Sequence, residues 1–112
     1  MTTFFGFAVS DSMFSGACTV TRKPLEIEEA RPLIEVATSA LNPSHTATIT
    51  AMRERFEIDV TIPETPPRVS LSAGDRLVVM QVRGLPRLTD RHEYTSEEIQ
   101  GADFTFALWE IQ

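Results

Sequence analysis

The amino-acid sequence predicts a single small α/β (α+β) domain, a mixed β-sheet of about five strands flanked by helices. Three observations predict it. Residues 3–9 (TFFGFAV) form a short, almost continuous apolar run, the pattern of a strand buried on both faces. Residues 76–82 (RLVVMQV) and 104–111 (FTFALWEI) are rich in β-branched and aromatic residues. Between these runs Ile27, Ala30, Ile34, Ala37 and Leu41 recur at spacings of three and four, the stripe of an amphipathic helix. Strand and helix patterns interspersed in this way place helices against a sheet.

The remaining elements follow in chain order. Residues 10–16 are rich in Ser, Asp and Gly and read as a loop. Residues 18–22 (CTVTR) alternate and read as a second strand, with Cys18 a buried strand residue rather than a nucleophile. The helix of Ile27 to Leu41 has Glu26, Glu28 and Glu29 near its start, where the helix dipole favours negative charge. Pro32 would remove a hydrogen bond from a helix interior. Either the helix begins near Glu28 or it is kinked at Pro32. Asn42-Pro43 opens a second helix running to about Arg55, since Asn caps well and Pro suits the first helical position. Residues 57–62 (EIDVTI) alternate as a strand, and residues 63–67 (PETPP) must be a loop. Residues 68–71 read as a short strand, and Ala73-Gly74-Asp75 as a turn before residues 76–82. A loop at 84–93 holds Arg87, Asp90, Arg91 and His92, and residues 95–98 (TSEE) open a short capped helix. The expected order is β-β-α-α-β-β-β-α-β, without internal repeats.

The chain has 112 residues, enough for one domain (1–112) with a real core. A single Cys excludes an intramolecular disulfide and fits a reducing cytoplasm. No apolar run approaches the roughly 18 residues that span a bilayer. No positive region precedes the first apolar run, so no signal peptide is expected. Sixteen acids against ten bases give a net charge of -6, which argues against duplex nucleic-acid binding. A small polyanion in a local basic pocket stays possible. Residues 1–56 carry 6 acids and 5 bases, residues 57–112 carry 10 acids and 5 bases, and every base but Lys23 is Arg. Arg is the better bidentate phosphate ligand, although codon bias gives the same composition.

Few side chains could carry chemistry. His45 falls in the first turn of the second helix, where free N–H groups attract anions. There it could bind a phosphate and hand it a proton. It also shares a face with Ile49, Met52 and Phe56 and could simply edge the core. Thr48 is one turn away, and Ser44 precedes His45. Arg83, Arg87 and Arg91 are spaced by four, with Arg68 and Arg76 nearby, and could equally be solvated surface charges. Asp90 could orient Arg87. Ser10 follows the first strand, a common place for a ligand and a commoner one for a turn. No metal-binding His pair and no Gly-rich phosphate loop is present.

Certain segments carry a resemblance. They are Ala8-Val9-Ser10, Glu28-Glu29-Ala30, Ser44-His45-Thr46-Ala47-Thr48-Ile49, Arg68-Val69-Ser70-Leu71 and Ala73-Gly74-Asp75-Arg76-Leu77. Val79-Met80-Gln81-Val82, Arg87-Leu88-Thr89-Asp90, Tyr94-Thr95-Ser96-Glu97-Glu98-Ile99 and the final aromatic strand follow. In this order they resemble the small viral type III anti-CRISPR ring nucleases across nearly the whole chain. The resemblance implies destruction of cyclic tetra-adenylate, the second messenger of type III CRISPR defence. It implies a homodimer holding the ring across its two-fold axis, without cofactor or metal, in the host cytoplasm if the protein is viral. A ribose 2′-OH would attack the adjacent phosphate and leave linear di-adenylate with a 2′,3′-cyclic phosphate. By the same resemblance His45 would protonate the leaving 5′-oxygen, and Arg87 would steady the phosphate charge. Asp90 would be the third catalytic residue, standing where the family has Glu. Ser10, Ser44, Thr48, Arg68 and Arg83 would bind the ligand.

The sequence also departs from the family pattern. Ser44 replaces a Gly, and Phe7 and Pro67 each stand where the family has Asn. The stretch from Gln81 to Arg87 is about two residues longer than the family form, which loosens the alignment of Arg87. Two alternatives therefore stand beside the enzyme: a sponge that holds a cyclic nucleotide uncut, and a protein-interaction module on the same fold.

Overall fold

In the computed structural model, which describes residues 1–112, the sheet is built around two long neighbouring strands, β4 (Arg76–Arg83) and β5 (Asp103–Ile111). They pair antiparallel along the whole length of β4, from Arg76 opposite Glu110 to Arg83 opposite Asp103. Two glycines with left-handed backbone bracket β4, Gly74 (φ +91°) in the turn before it and Gly84 (φ +88°) just after it. Only Gly enters that region at no steric cost. β1 (Thr3–Gly6) runs parallel to β4, and β3 (Thr38–Ser39) runs parallel to β1. β2 (Val20–Leu25) lies antiparallel along β5. The order across the sheet is β2-β5-β4-β1-β3, a mixed five-stranded sheet in a single α+β domain. Lys23 and Pro24 sit on the outer strand β2, where a charge and a missing donor discourage pairing with another chain.

Alternation along the strands sends side chains to two faces. One face carries Phe5, Val78, Met80, Phe106 and Leu108, and buries Ala30, Ile34, Leu41, Ile49 and Met52 against them. The other carries Leu77, Val79 and Ile111, covered partly by Met13, Phe14, Val69 and Leu71. The first face is the helical one. α1 (Ile27–Val36) starts at Glu26, whose N–H donates to Glu29 Oε1 at 3.1 Å. α1 begins at Ile27, next to the Glu28 start expected, and Pro32 stands inside it. α2 (Thr46–Phe56) follows a 3-10 turn (Pro43–His45) whose Ser44 N–H donates to the Asn42 side chain at 2.9 Å. α3 (Ser96–Gly101) is capped by Thr95, which accepts from the Glu98 N–H at 3.2 Å.

Several expectations are corrected. β1 stops at Gly6, and residues 7–9 run on beyond its pairing. The second strand is Val20–Leu25, so Cys18 lies outside it and is exposed, not buried. α1 ends at Val36, and Thr38–Ser39, expected within the helix, is a strand. The stripe extended to Leu41 because Leu41 is buried in the same cluster, but a different element delivers it there. Residues 57–62 are not a strand. Their alternation reflects burial of Ile58 and partial burial of Val60 and Ile62 on the core, with β3 already holding the sheet edge. Residues 68–71 make only one bridge, Leu71 to Phe14.

Arginines close the helix ends. Arg31 Nη1 donates to the Phe56 carbonyl at the end of α2, at 2.6 Å. Arg55 Nη1 donates to the carbonyls of Ile99 and Ala102, each at 2.9 Å, and of Gln100 at 3.2 Å, satisfying the end of α3. Its guanidinium lies over Phe104, 5.7 Å from the ring centroid. Arg55→Ala is therefore expected to destabilise the fold by about 1–3 kcal/mol, because it leaves the part-buried Ala102 carbonyl without a partner. Arg55→Lys should recover only part of the loss, since an ammonium lacks the planar fork. Urea midpoints of the three proteins check both.

Arg91 grips Glu98 with two bonds, at 2.5 and 2.6 Å, while Thr95 N–H donates to the same carboxylate at 2.8 Å. Arg91 first, then the Thr95 amide, holds the Glu98 carboxyl down to about 2. In the unfolded chain Glu titrates near ~4.3. A folded value below the unfolded one adds stability that is fully present above the unfolded value and is lost as pH falls toward the folded one. Stability should thus decline between about pH 5 and pH 2. Arg91→Ala should flatten that decline, as denaturation midpoints measured across this window will show.

Candidate functional site

Ligand crevices of open sheets lie beyond the carboxyl ends of parallel strands. Here β1, β3 and β4 run parallel, and α2 begins just beyond the end of β3. The turn Pro43–His45 therefore lies at that end of the sheet. Its last residue, His45, donates its backbone N–H to the Asn42 carbonyl at 2.9 Å. Its side chain is exposed and is not a core residue. Its ring stacks on Phe7, with centroids 6.0 Å apart and planes 23° from parallel. Phe7 in turn meets Phe5 edge-on at 6.0 Å. Of the four residues the sequence placed on one face, Ile49 and Met52 are buried, Phe56 is half-buried, and His45 has swung out to Phe7.

Phe7 is also a wall of a notch of about 370 Å³, lined with Thr48, Met80, Gln81, Val82 and Arg83. Three candidates named from sequence, His45, Thr48 and Arg83, thus gather around one aromatic side chain. Two others, Ser10 and Arg68, share a second groove of about 620 Å³ with Ser12, Pro67 and Ser70. The Ser10 and Ser12 hydroxyls are 3.0 Å apart. A third groove of about 340 Å³ lies on the less covered sheet face, where Phe7 and Val9 meet Arg22, Gln81, Thr105 and Trp109. Phe7 and Gln81 belong to both the notch and this third groove. Ser44 lies exposed in the turn, its N–H committed to Asn42.

Arg87 and Asp90 lie exposed in the connection between β4 and α3, outside all three grooves. No side-chain hydrogen bond or ion pair holds either one. Asp90 does not orient Arg87; the arginine fixed in this loop is Arg91, through Glu98. Elsewhere, Arg76 donates to the Thr3 hydroxyl at 3.0 Å and Arg53 pairs with Asp59 at 3.3 Å. With Arg31 and Arg55 at helix ends, five of the nine arginines have internal partners. The four without any are Arg22, Arg68, Arg83 and Arg87, and the first three line the grooves.

Sequence reasoning passed over Arg22, Gln81, Thr105 and Trp109 as site residues. A signal existed: Gln81 and Thr105 are opposed polar residues on a sheet face that is otherwise largely apolar. Asp75, by contrast, is structural. It accepts from the Ser72 and Thr2 amides, each at 2.9 Å, and these bonds hold its carboxyl below the usual range, Ser72 most. No three His, Cys, Asp or Glu side chains come together as a metal cage, and no helix is long and apolar enough to cross a membrane.

By sequence, no family model and no curated protein matches the chain. In three dimensions it is similar to B116 of Sulfolobus turreted icosahedral virus. The two superpose with a TM-score of 0.69 over 98% of this chain and 99% of that one, at 20% sequence identity. The likeness shows a shared fold, the five-stranded mixed sheet with its flanking helices.

Proposed function

We propose that the chain is a viral ring nuclease that cleaves cyclic tetra-adenylate without a metal and so suppresses type III CRISPR defence. One observation carries the reading. An exposed imidazole stands at the start of α2, stacked on Phe7, beside a notch that holds a hydroxyl (Thr48) and an uncommitted guanidinium (Arg83). A helix start and an arginine both favour a phosphate there. The fold shared with a protein of an archaeal virus supports a viral origin, and with it action in the host cytoplasm.

The chemistry asks little more of the protein. The ribose 2′-oxygen attacks the adjacent phosphorus, and its proton passes to solvent. The bond from phosphorus to the 5′-oxygen breaks, and His45 supplies that oxygen with a proton. Two such cuts turn the ring into two linear di-adenylates ending in 2′,3′-cyclic phosphates. Arg83 takes the anion-binding role within the notch, and Arg68 with Ser10 extends the ligand path along the second groove. In this reading Arg87 and Asp90 act only once their loop closes over ligand. A dimer of the chain would bring two such sites to one ring, matching the ring's own symmetry.

A second reading, a sponge that holds the ring uncut, is favoured by a separate observation. No side chain hydrogen-bonds to the His45 ring to orient it as a general acid.

Incubation of the protein with cyclic tetra-adenylate in EDTA, followed by chromatography, separates the two. Linear di-adenylate is expected from the wild type, with the rate reduced about 10²–10⁴-fold in His45→Ala. Intact ring that co-purifies with the protein would establish the sponge. Neither binding nor cleavage would leave the interaction module.

A further inference from the structure

The edge of β4 that faces the notch is unpaired. The last pair between β1 and β4 is Gly6 with Val79, and β1 then ends. Which backbone groups face that edge follows from two hydrogen bonds at the other end of β4. Arg76 N–H donates to the Thr2 carbonyl, on the β1 side, and Ile111 N–H donates to the Asp75 carbonyl, on the β5 side. Backbone N–H and C=O groups alternate sides along a strand paired in this way. Even-numbered residues of β4 therefore point their backbone toward β1, and Val82 points its N–H and C=O past the end of β1. No backbone hydrogen bond joins residues 7–9 to Val82, and no side chain takes up its amide.

An unpaired donor and acceptor, side by side at the wall of a cavity, form a recognition element. Val82, half-buried, lines the notch with Phe7, Thr48, Met80, Gln81 and Arg83. A volume of about 370 Å³ is at the low end of ligand pockets, which run from roughly 300 Å³. A notch of this size offers room for one flat group rather than for a further strand. We propose that this notch is an adenine slot, in which the Val82 C=O accepts from the exocyclic N6 amine and the Val82 N–H donates to ring N1. The slot rests on the ring-nuclease reading for its choice of base. It adds to that reading the atoms that recognise the base and leaves Arg83 free for the phosphate.

The test follows the ¹⁵N-labelled full chain by NMR during titration with adenosine 5′-monophosphate. Two controls run alongside: purine riboside 5′-monophosphate, which lacks the N6 amine, and ribose 5′-phosphate, which lacks the base. Adenosine monophosphate is expected to move the Val82 amide. The analogue without N6 should bind roughly three- to tenfold more weakly, the worth of one hydrogen bond. Ribose 5′-phosphate should leave Val82 still. Val82→Pro removes an N–H that points away from β5 and that the β4–β5 ladder does not use, and is expected to lose adenosine monophosphate binding while its melting temperature holds. A Val82 amide untouched by saturating adenosine monophosphate, or moved equally by ribose 5′-phosphate, overturns the slot. Cleavage plays no part in this readout. A chain that takes the nucleotide on Val82 but leaves cyclic tetra-adenylate intact keeps the slot and loses the nuclease. One that cuts the ring with Val82 silent keeps the nuclease and loses the slot.

Discussion

A single backbone bond decides where the candidate site can be. Ala40 N–H donates to the Phe5 carbonyl at 2.8 Å, directly beyond the two-residue strand β3. It ties the approach to α2 against β1. The bond fixes Leu41 in the core and hands Asn42, the cap residue, to the end of the sheet. The Pro43–His45 turn then has one direction to go, and His45 meets Phe7, the first residue beyond β1. The site is thus made by two chain segments that stay paired as far as Gly6 and Ala40 and separate just after. A paired β1 running to Val9, as the apolar pattern suggested, would have filled the notch with its own backbone.

The arginines show how composition misleads and how structure resolves it. Nine arginines in an acidic chain invite a phosphate-binding interpretation. Five of them have internal work. Two close helix ends by donating to carbonyls at the ends of α2 and α3. This use of Arg lets α2 end at Phe56, with Glu57 in the left-handed region (φ +54°) rather than a glycine. It also fastens α3, only six residues long, to α2 through Arg55. What remains for a ligand is a smaller set, and it coincides with the grooves at Arg22, Arg68 and Arg83. The charge that matters locally is therefore positive, although the chain as a whole carries -6.

Much of the fold was legible because period and burial agree where elements are long. Residues 76–82, 104–111 and the stripe at Ile27, Ala30 and Ile34 were read correctly, and so was Thr95 as a helix start, whereas Asn42-Pro43 opens a 3-10 turn and α2 itself begins at Thr46. The failures have one cause. Alternating apolar residues report which side chains are buried, not whether a backbone partner is present. Residues 57–62 and 68–71 bury every second side chain without a ladder, and Thr38–Ser39 has a ladder without enough residues to show a pattern. At the candidate site, the place of His45 at the start of α2 was legible because cap chemistry is local. Ser10 with Arg68 was legible only as two isolated candidates, since the groove they share joins segments more than fifty residues apart. Arg87 and Asp90 were named from their spacing and loop and given catalytic roles only through resemblance, in a stretch whose length already departed from the family pattern.

At Phe7 the chain departs from the pattern it resembles. An asparagine there would offer a donor and an acceptor to a ligand; a phenyl ring offers neither. Its contributions are shape and contact: it packs edge-on against Phe5, lies flat against His45, and walls both the notch and the sheet-face groove. A ligand whose polar edge is no longer met by this side chain needs other partners within reach. The unpaired backbone of Val82 and the amide of Gln81 are such partners, and both line the same notch. Backbone groups cannot be removed by most substitutions, whereas an asparagine can. Recognition carried by a strand edge tolerates an aromatic at position 7, and the aromatic supplies what the edge lacks, a surface on which the imidazole of His45 can rest.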